Sequence, residues 1–413
     1  MRRSAYPAAA ALALVALAAA AGVVVAGPPA SAALPTAAVA LGDSFVSGEG
    51  AGAYQPVVDV NGTAQGFPGW SAPNSNAYFC HRSANASIQV AALPGIDARF
   101  NLACSGGQPA DIATASAARA KGRTVAAQLD QLRAVSRTHD IDLVLVGLGS
   151  NNSQFTFGGV AEKCANRFIA DAWTGWWEFW AYLNGPVEQA PCATGDLATE
   201  AQLAAATQET VAAVRQIAAT LAEVDADGQH RIVLQDYTNP LPFDLAPRFW
   251  TEDGRADDRD KFRALGAERY AAGCPVHRAS LAAGHWFSAN LGAIVRAGHA
   301  ALPGDVVYLN VQRAFDGARL CEGDASPAGT LATPIRLQDG PTGVPVTSLS
   351  GKDKIAIQRI ANTCVTYFQT CQESWHPNAS GHQVLGRCLA GAATATARSV
   401  ACVRQPDGGV TVG

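Results

Sequence analysis

The chain is short of lysine and has no cluster of basic side chains. Its slight acidity gives a nucleic-acid partner no electrostatic footprint. It has ten cysteines but no two of them stand in a Cys-x-x-Cys pair, and their spacing fits no zinc module. Beyond residue 32 no apolar run is long enough to span a bilayer. No internal repeat is visible. No linker is clean enough to divide the chain, so one domain with long insertions, at about 156–198 and 241–350, is expected for 33–413.

The N-terminus reads differently from the rest. Arg2 and Arg3 precede the apolar stretch Ala8 to Ala26, and Ala30-Ser31-Ala32 ends it. This is the pattern of a secretory signal peptide covering 1–32. Removing Arg2 and Arg3 leaves 28 basic against 34 acidic side chains. All ten cysteines lie in the remaining chain, an even number in a sequence marked for export, which predicts up to five disulfides. Spacing alone does not fix their pairing.

Strand-like and helix-like segments alternate. Strands are expected at Ala37–Leu41, Ala98–Ala103, Ile141–Val146, Arg231–Gln235 and Val306–Val311. The third is almost wholly Ile, Leu and Val, as suits a strand covered on both faces. Apolar residues three and four apart predict helices over Thr124–Ser136, Thr199–Val224, Asp260–Gly273, Ala279–Ala297, Lys352–Gln369 and Ser380–Ser399. This order predicts an α/β fold, a three-layer α/β/α sandwich around a central five-stranded parallel sheet.

Four short runs carry chemistry. Gly42-Asp43-Ser44 follows the first strand and places a serine at its C-terminal end. Cys104-Ser105-Gly106-Gly107 follows the second, where a glycine permits a tight turn with an uncovered N–H. Gly149-Ser150-Asn151-Asn152 follows the third, and an amide there is a suitable oxyanion donor. Near the C-terminus, Glu373-Ser-Trp-His376-Pro377 sets a histidine three residues after a carboxylate and before a proline that restricts it. Glu373 is placed to orient that ring.

These four runs, in this order over nearly the whole exported chain, resemble the SGNH (GDSL) hydrolase family, most of all its secreted actinobacterial esterases and lipases. The resemblance implies Ser44 as nucleophile and His376 as base. It implies an oxyanion hole made of the Ser44 and Gly106 N–H groups and the Asn151 side chain. Two positions depart from the family pattern. Asn152 stands where an Asp is usual and is read as structural. Glu373 stands where an Asp is usual; alternatively, a main-chain carbonyl of Ser374 or Trp375 orients His376. The resemblance also implies a Cys80–Cys104 disulfide, and proximity in sequence then suggests Cys164–Cys192, Cys274–Cys321, Cys364–Cys371 and Cys388–Cys402. His382 is read as structural, and His81 has no assigned role.

The implied activity is hydrolysis of carboxylic esters through an acyl-enzyme, with no metal or organic cofactor. The expected protein is extracellular and monomeric. The aromatic run Trp173 to Trp180 reads either as a helix burying its rings against the sheet or as a wall beside an acyl pocket, with Trp173, Trp176 and Trp177 touching substrate. An ester with an apolar acyl chain, lipid included, is the first expectation. A carbohydrate acetyl esterase is the second, and a non-catalytic binding protein the third. Asn151-Asn-Ser and Asn378-Ala-Ser match the N-glycosylation sequon; both fall beside the expected crevice and are expected to stay unmodified.

Overall fold

The computed structural model describes residues 33–55, 80–115, 125–172, 190–225, 228–249, 268–269, 272–322, 331 and 375–413. Chain packing separates Met1–Leu34 from Pro35–Gly413, and the fold described is that of the second unit.

Seven strands form one sheet: β1 (Thr36–Gly42), β2 (Ala98–Asn101), β3 (Asp140–Gly147), β4 (Arg231–Gln235), β5 (Val306–Arg313), β6 (Ser399–Arg404) and β7 (Val410–Val412). Their order is β2-β1-β3-β4-β5-β6-β7. All neighbours are parallel except β6 and β7, which are antiparallel. Two strands therefore join the five expected. The helix expected over Ser380–Ser399 stops at Ala393, and the chain turns back into the sheet. An Asp407-Gly408 turn, with Gln405 N–H bonded to Gly409 O at 2.9 Å, joins the added strands, an arrangement favoured by Asp-Gly pairs.

The helices are α1 (Ser44–Ser47), α2 (Ser87–Val90), α3 (Gln128–Ser136), α4 (Phe157–Ala172), α5 (Thr194–Leu197), α6 (Glu200–Val224), α7 (Leu281–Ala300) and α8 (Ala379–Ala393). Two packed groups flank the sheet: α2 with α8, and α6 with α7 and α3. Helix α6 starts one residue later than its apolar period suggests because Thr199 and Gln202 cap it reciprocally: Gln202 N–H to Thr199 Oγ1 is 3.3 Å, and Thr199 N–H to Gln202 Oε1 is 2.8 Å. The β1, β3 and β4 side chains are almost entirely buried, and so is the first half of β5, Val306–Leu309, as their sequence demands. Four cystines pair Cys80 with Cys104, Cys164 with Cys192, Cys274 with Cys321 and Cys388 with Cys402. The segments Asp260–Gly273 (in most part) and Lys352–Gln369, with Cys364 and Cys371, lie outside the described residues.

The order of the first three strands positions the site. From β1 the chain moves to β2 on one side, then back past β1 to β3 on the other. Such a reversal opens a crevice at the C-terminal ends of β1 and β3, where open α/β sheets bind ligands.

Two features of this frame give testable expectations. Gly42 has φ +132°, and a Cβ built on it would lie 1.9 Å from the Gly147 carbonyl oxygen of the neighbouring strand. Gly42→Ala is therefore expected to lose more than ~3 kcal/mol of stability or fail to fold, read by urea denaturation. An alanine variant as stable as the parent would refute this reading of the β1–β3 junction.

The second feature is Asp236, fully buried just after β4. Its carboxylate accepts from Val311 N–H at 2.6 Å and Tyr308 OH at 2.7 Å, and Arg296 reaches the same phenol oxygen at 3.1 Å. Burial nevertheless pushes the carboxyl up to about 7. The folded state thus keeps a proton that the unfolded chain loses between about pH 4 and pH 7, so this group costs stability as pH rises through that window. Asp236→Asn is expected to gain stability relative to the parent by about 1–3 kcal/mol more at pH 8 than at pH 4. Equal differences at both pH values would contradict it.

Candidate functional site

Ser44 is the first residue of α1, two residues beyond the end of β1 and directly after its Asp43 cap. The left-handed backbone of Gly42 turns the chain sharply out of the sheet, and Asp43 N–H bonds Gly147 O at 2.9 Å. Asp43 Oδ1 accepts from Phe45 N–H at 3.0 Å, which caps the short helix. Its Oδ2 accepts from Ser150 Oγ at 2.7 Å and Tyr237 OH at 2.6 Å. Burial pushes the Asp43 carboxyl up, and these donors oppose it. The same carboxyl and its own burial push the Tyr237 phenol up, which keeps it a donor.

His376 reaches this turn from the far end of the chain. Its Nε2 lies 2.8 Å from Ser44 Oγ, although 332 residues separate them. Both side chains are buried. Two neighbours fix the histidine's backbone. Trp375 has φ +64°, which is rare for a bulky residue, and its indole N–H donates to Gly273 O at 2.9 Å. Asn378 caps α8, its Oδ1 accepting from Gly381 N–H at 2.9 Å. The Phe157 ring meets the imidazole edge-on at 5.7 Å between centroids.

Gly106 lies in the loop after β2, with φ +68°. That loop presses on the Gly42-Asp43-Ser44 turn: a Cβ built on Gly107 would come within 2.7 Å of Gly42 O and 3.3 Å of Asp43 Cα. Neither Ser44 N–H nor Gly106 N–H has an acceptor among the described residues. Asn151 is buried after β3, and its amide nitrogen donates to Ser150 Oγ at 3.3 Å, leaving a second N–H. The three parts thus sit at the C-terminal ends of three adjacent strands. Asn152 makes a local turn, its Oδ1 accepting from Gln154 N–H at 2.8 Å and Phe155 N–H at 3.1 Å. Burial of Asn151 and the capping bond of Asn378 leave neither sequon asparagine as an exposed loop amide.

His382 is fully buried on α8, where its Nδ1 accepts from Ser87 N–H at 3.2 Å and joins α8 to α2. Burial, together with His376, pushes its imidazole down to about 3. His81 is buried against Glu49, with 2.6 Å between His81 Nδ1 and Glu49 Oε1. Glu373, Ser374 and the run Trp173, Trp176 and Trp177 lie outside the described residues.

An apolar pocket adjoins the surroundings of His376. Phe157, Val160, Leu197, Leu241, Phe287 and Trp375 line it. Phe157 and Trp375 belong both to this wall and to the immediate setting of His376. The sequence did not single out Phe157 or Phe287, whose signal is only the apolar period of α4 and α7, or Leu241, which lies in the Pro-rich loop after β4. It also missed Tyr237, whose one cue is a polar residue directly after a buried strand. Among the described residues no group of His, Cys, Asp and Glu could hold a metal ion, and no helix is long and apolar enough to cross a membrane.

No family model and no curated protein matches the chain. Solved structures similar to it include two from Streptomyces. An extracellular lipase from Streptomyces rimosus is 17% identical, with 86% of this chain and 99% of that chain covered and a TM-score of 0.41. A phospholipase A1 from Streptomyces albidoflavus NA297 is 14% identical, with 85% of this chain and 95% of that chain covered and a TM-score of 0.40.

Proposed function

We propose that the chain is a secreted serine hydrolase of the SGNH (GDSL) kind that cleaves carboxylic esters through an acyl-enzyme. The 2.8 Å approach of His376 Nε2 to Ser44 Oγ carries this reading. A buried serine hydroxyl is a weak nucleophile until a base at hydrogen-bond distance takes its proton. The order of motifs along the chain, the strand-end placement of Gly106 and Asn151, and the sequence pattern of 1–32 with four cystines support the rest.

In the mechanism His376 takes the Ser44 proton as Oγ bonds to the ester carbonyl carbon. The carbonyl π electrons move onto oxygen. The Ser44 and Gly106 N–H groups and the Asn151 amide donate to that oxyanion. As the tetrahedral species collapses, the C–O bond to the alcohol breaks and His376 returns its proton to the leaving oxygen. Water then repeats the sequence on the acyl-serine, releasing the acid and restoring Ser44. Glu373 is assigned to orient the ring and stabilise the imidazolium. Every step draws on groups of this chain, acting as a monomer.

The acyl group is assigned to the pocket lined by Phe157, Leu241, Phe287 and Trp375. Its apolar walls favour an alkyl chain over a bare acetyl group, because each buried methylene adds about 0.8 kcal/mol. That lining supports a lipid-like or other apolar acyl ester over an acetylated carbohydrate.

A chain-length series of p-nitrophenyl esters, with acetylated xylan and a phospholipid beside it, tests the reaction. Ser44→Ala is expected to reduce turnover by at least about 10⁴-fold, and Asn151→Ala to lower kcat by about 10²–10³-fold. A Ser44→Ala protein as fast as the parent would refute the proposal, and activity confined to acetylated xylan would refute the acyl-chain assignment. Glu373→Ala retaining nearly the parental rate would move the orienting role to a main-chain carbonyl.

Gly284 tests the pocket itself. It lines the cavity on α7, and a Cβ there would meet nothing closer than Leu241 Cδ1 at 4.0 Å. Gly284→Leu is expected to fill the space, lowering kcat/KM for an octanoyl ester by roughly tenfold while leaving an acetyl ester within about threefold. Equal losses on both esters would show that the pocket does not take the acyl chain.

A further inference from the structure

Behind the nucleophile turn lies a second buried polar group that the mechanism above does not use. Glu49 follows α1 and is fully buried. Its backbone N–H donates to Ser44 O at 3.1 Å. One carboxylate oxygen pairs with His81 Nδ1 at 2.6 Å, and the other accepts a short hydrogen bond from Ser105 Oγ. Ser105 is the residue before Gly106. Its backbone N–H is also tied, to Cys80 O at 2.9 Å, next to the Cys80–Cys104 cystine. The His81 ring stacks on Tyr54 at 4.5 Å, and the Tyr54 hydroxyl accepts from Gly50 N–H at 3.0 Å. Glu49 therefore joins the Ser44 turn to the Gly106 loop, and both its oxygens are engaged.

Resting on the reading of Ser44 as nucleophile, we propose that Glu49 is a positioning residue of the reaction, fixing the Gly106 N–H through Ser105. Gly106 is in a left-handed turn with no side chain to hold it, so the bonds of Ser105 set where its N–H points. An oxyanion donor is worth most when its position is fixed before charge develops. A displacement of about 1 Å at such a group can cost 10²-fold in rate.

Burial alone would push the Glu49 carboxyl up, but His81, His376 and the Ser105 hydroxyl together outweigh it and hold it below its ordinary value. The carboxylate is thus an acceptor for the Ser105 hydroxyl at neutral pH.

The test compares the parent enzyme with Glu49→Gln and Ser105→Ala on one p-nitrophenyl ester, with Ser44→Ala as the control for the reaction itself. If the parent hydrolyses the ester and Ser44→Ala does not, the reading of the nucleophile holds, and the variants then decide the role of Glu49. Both are expected to lower kcat by about 10–100-fold, with KM within about threefold. Variants with parental kcat, or losses carried by KM with kcat unchanged, overturn the proposal. If Glu49→Gln does not fold, Ser105→Ala alone decides: parental kcat in that variant overturns the positioning role.

Discussion

The site depends on one close approach, between Gly42 at the end of β1 and Gly147 at the end of β3. There is no room for a side chain on Gly42 against the Gly147 carbonyl. With the strands this close, Asp43 N–H can bond Gly147 O at 2.9 Å, and the chain must leave the sheet at once. The polar groups of Gly42 are then cut off from water and need partners. Gln128 supplies both, its Oε1 accepting at 2.7 Å and its Nε2 donating at 2.8 Å. The turn also places Asp43 in the interior, where its carboxyl needs donors, and Ser150 and Tyr237 come from the ends of β3 and β4 to supply them. The nucleophile turn, the residue before Asn151 and the loop after β4 thereby become one hydrogen-bonded unit. A buried network of this sort rigidifies its surroundings when every member is satisfied.

Buried ionisable groups extend from this unit in both directions, and their pH responses oppose one another. His382 is neutral when folded, with its imidazole pushed down to about 3. The unfolded chain takes up that proton below about pH 6.5, so this group costs stability as pH falls. Asp236, pushed up to about 7, costs stability as pH rises. The two windows overlap between about pH 4 and 6.5, where their slopes partly cancel. Asp43, also pushed up by burial, adds to the Asp236 side. Glu49 adds to the other, since its carboxyl is held down by its partners. The fold thus keeps His382 uncharged and lets Asp236 hold its proton up to about pH 7, while Glu49 stays an anion among its partners.

The strands that build this frame were legible in the sequence where burial on both faces leaves nothing but apolar residues, as in Ile141–Val146. The last two were not. The apolar spacing of α8 runs on into Val400 and Cys402, and only the Asp407-Gly408 turn, together with the crosslink from Cys402 to Cys388, marks where helix gives way to strand. In the site, Ser44, Gly106, Asn151 and His376 stood out because each sits in a turn whose chemistry is local. Tyr237, Gln128 and Glu49 did not, since nothing in the residues around them differs from an ordinary polar segment. Their partners lie 194, 86 and 32 residues away in the chain, and only the folded sheet brings them together.

The histidine loop shows why base and pocket are best regarded as one construction. A left-handed backbone at a residue as large as Trp375 costs of order 1–3 kcal/mol, and it persists only where the surroundings over-determine it. Here they do. The indole is buried, its N–H bonds Gly273 O, and its ring closes one wall of the apolar pocket. Burying a ring of that size returns more than the strain costs. The strained residue immediately precedes His376, so the packing that forms the pocket wall also sets where the imidazole stands. Phe157 repeats the arrangement from α4, lining the pocket with one part of its ring environment and meeting His376 with another. Under the proposed function, an acyl chain entering this pocket would press on the two side chains that hold His376. Binding the chain and aligning Ser44 with His376 would then be coupled, and a longer acyl group would act on kcat as well as on KM.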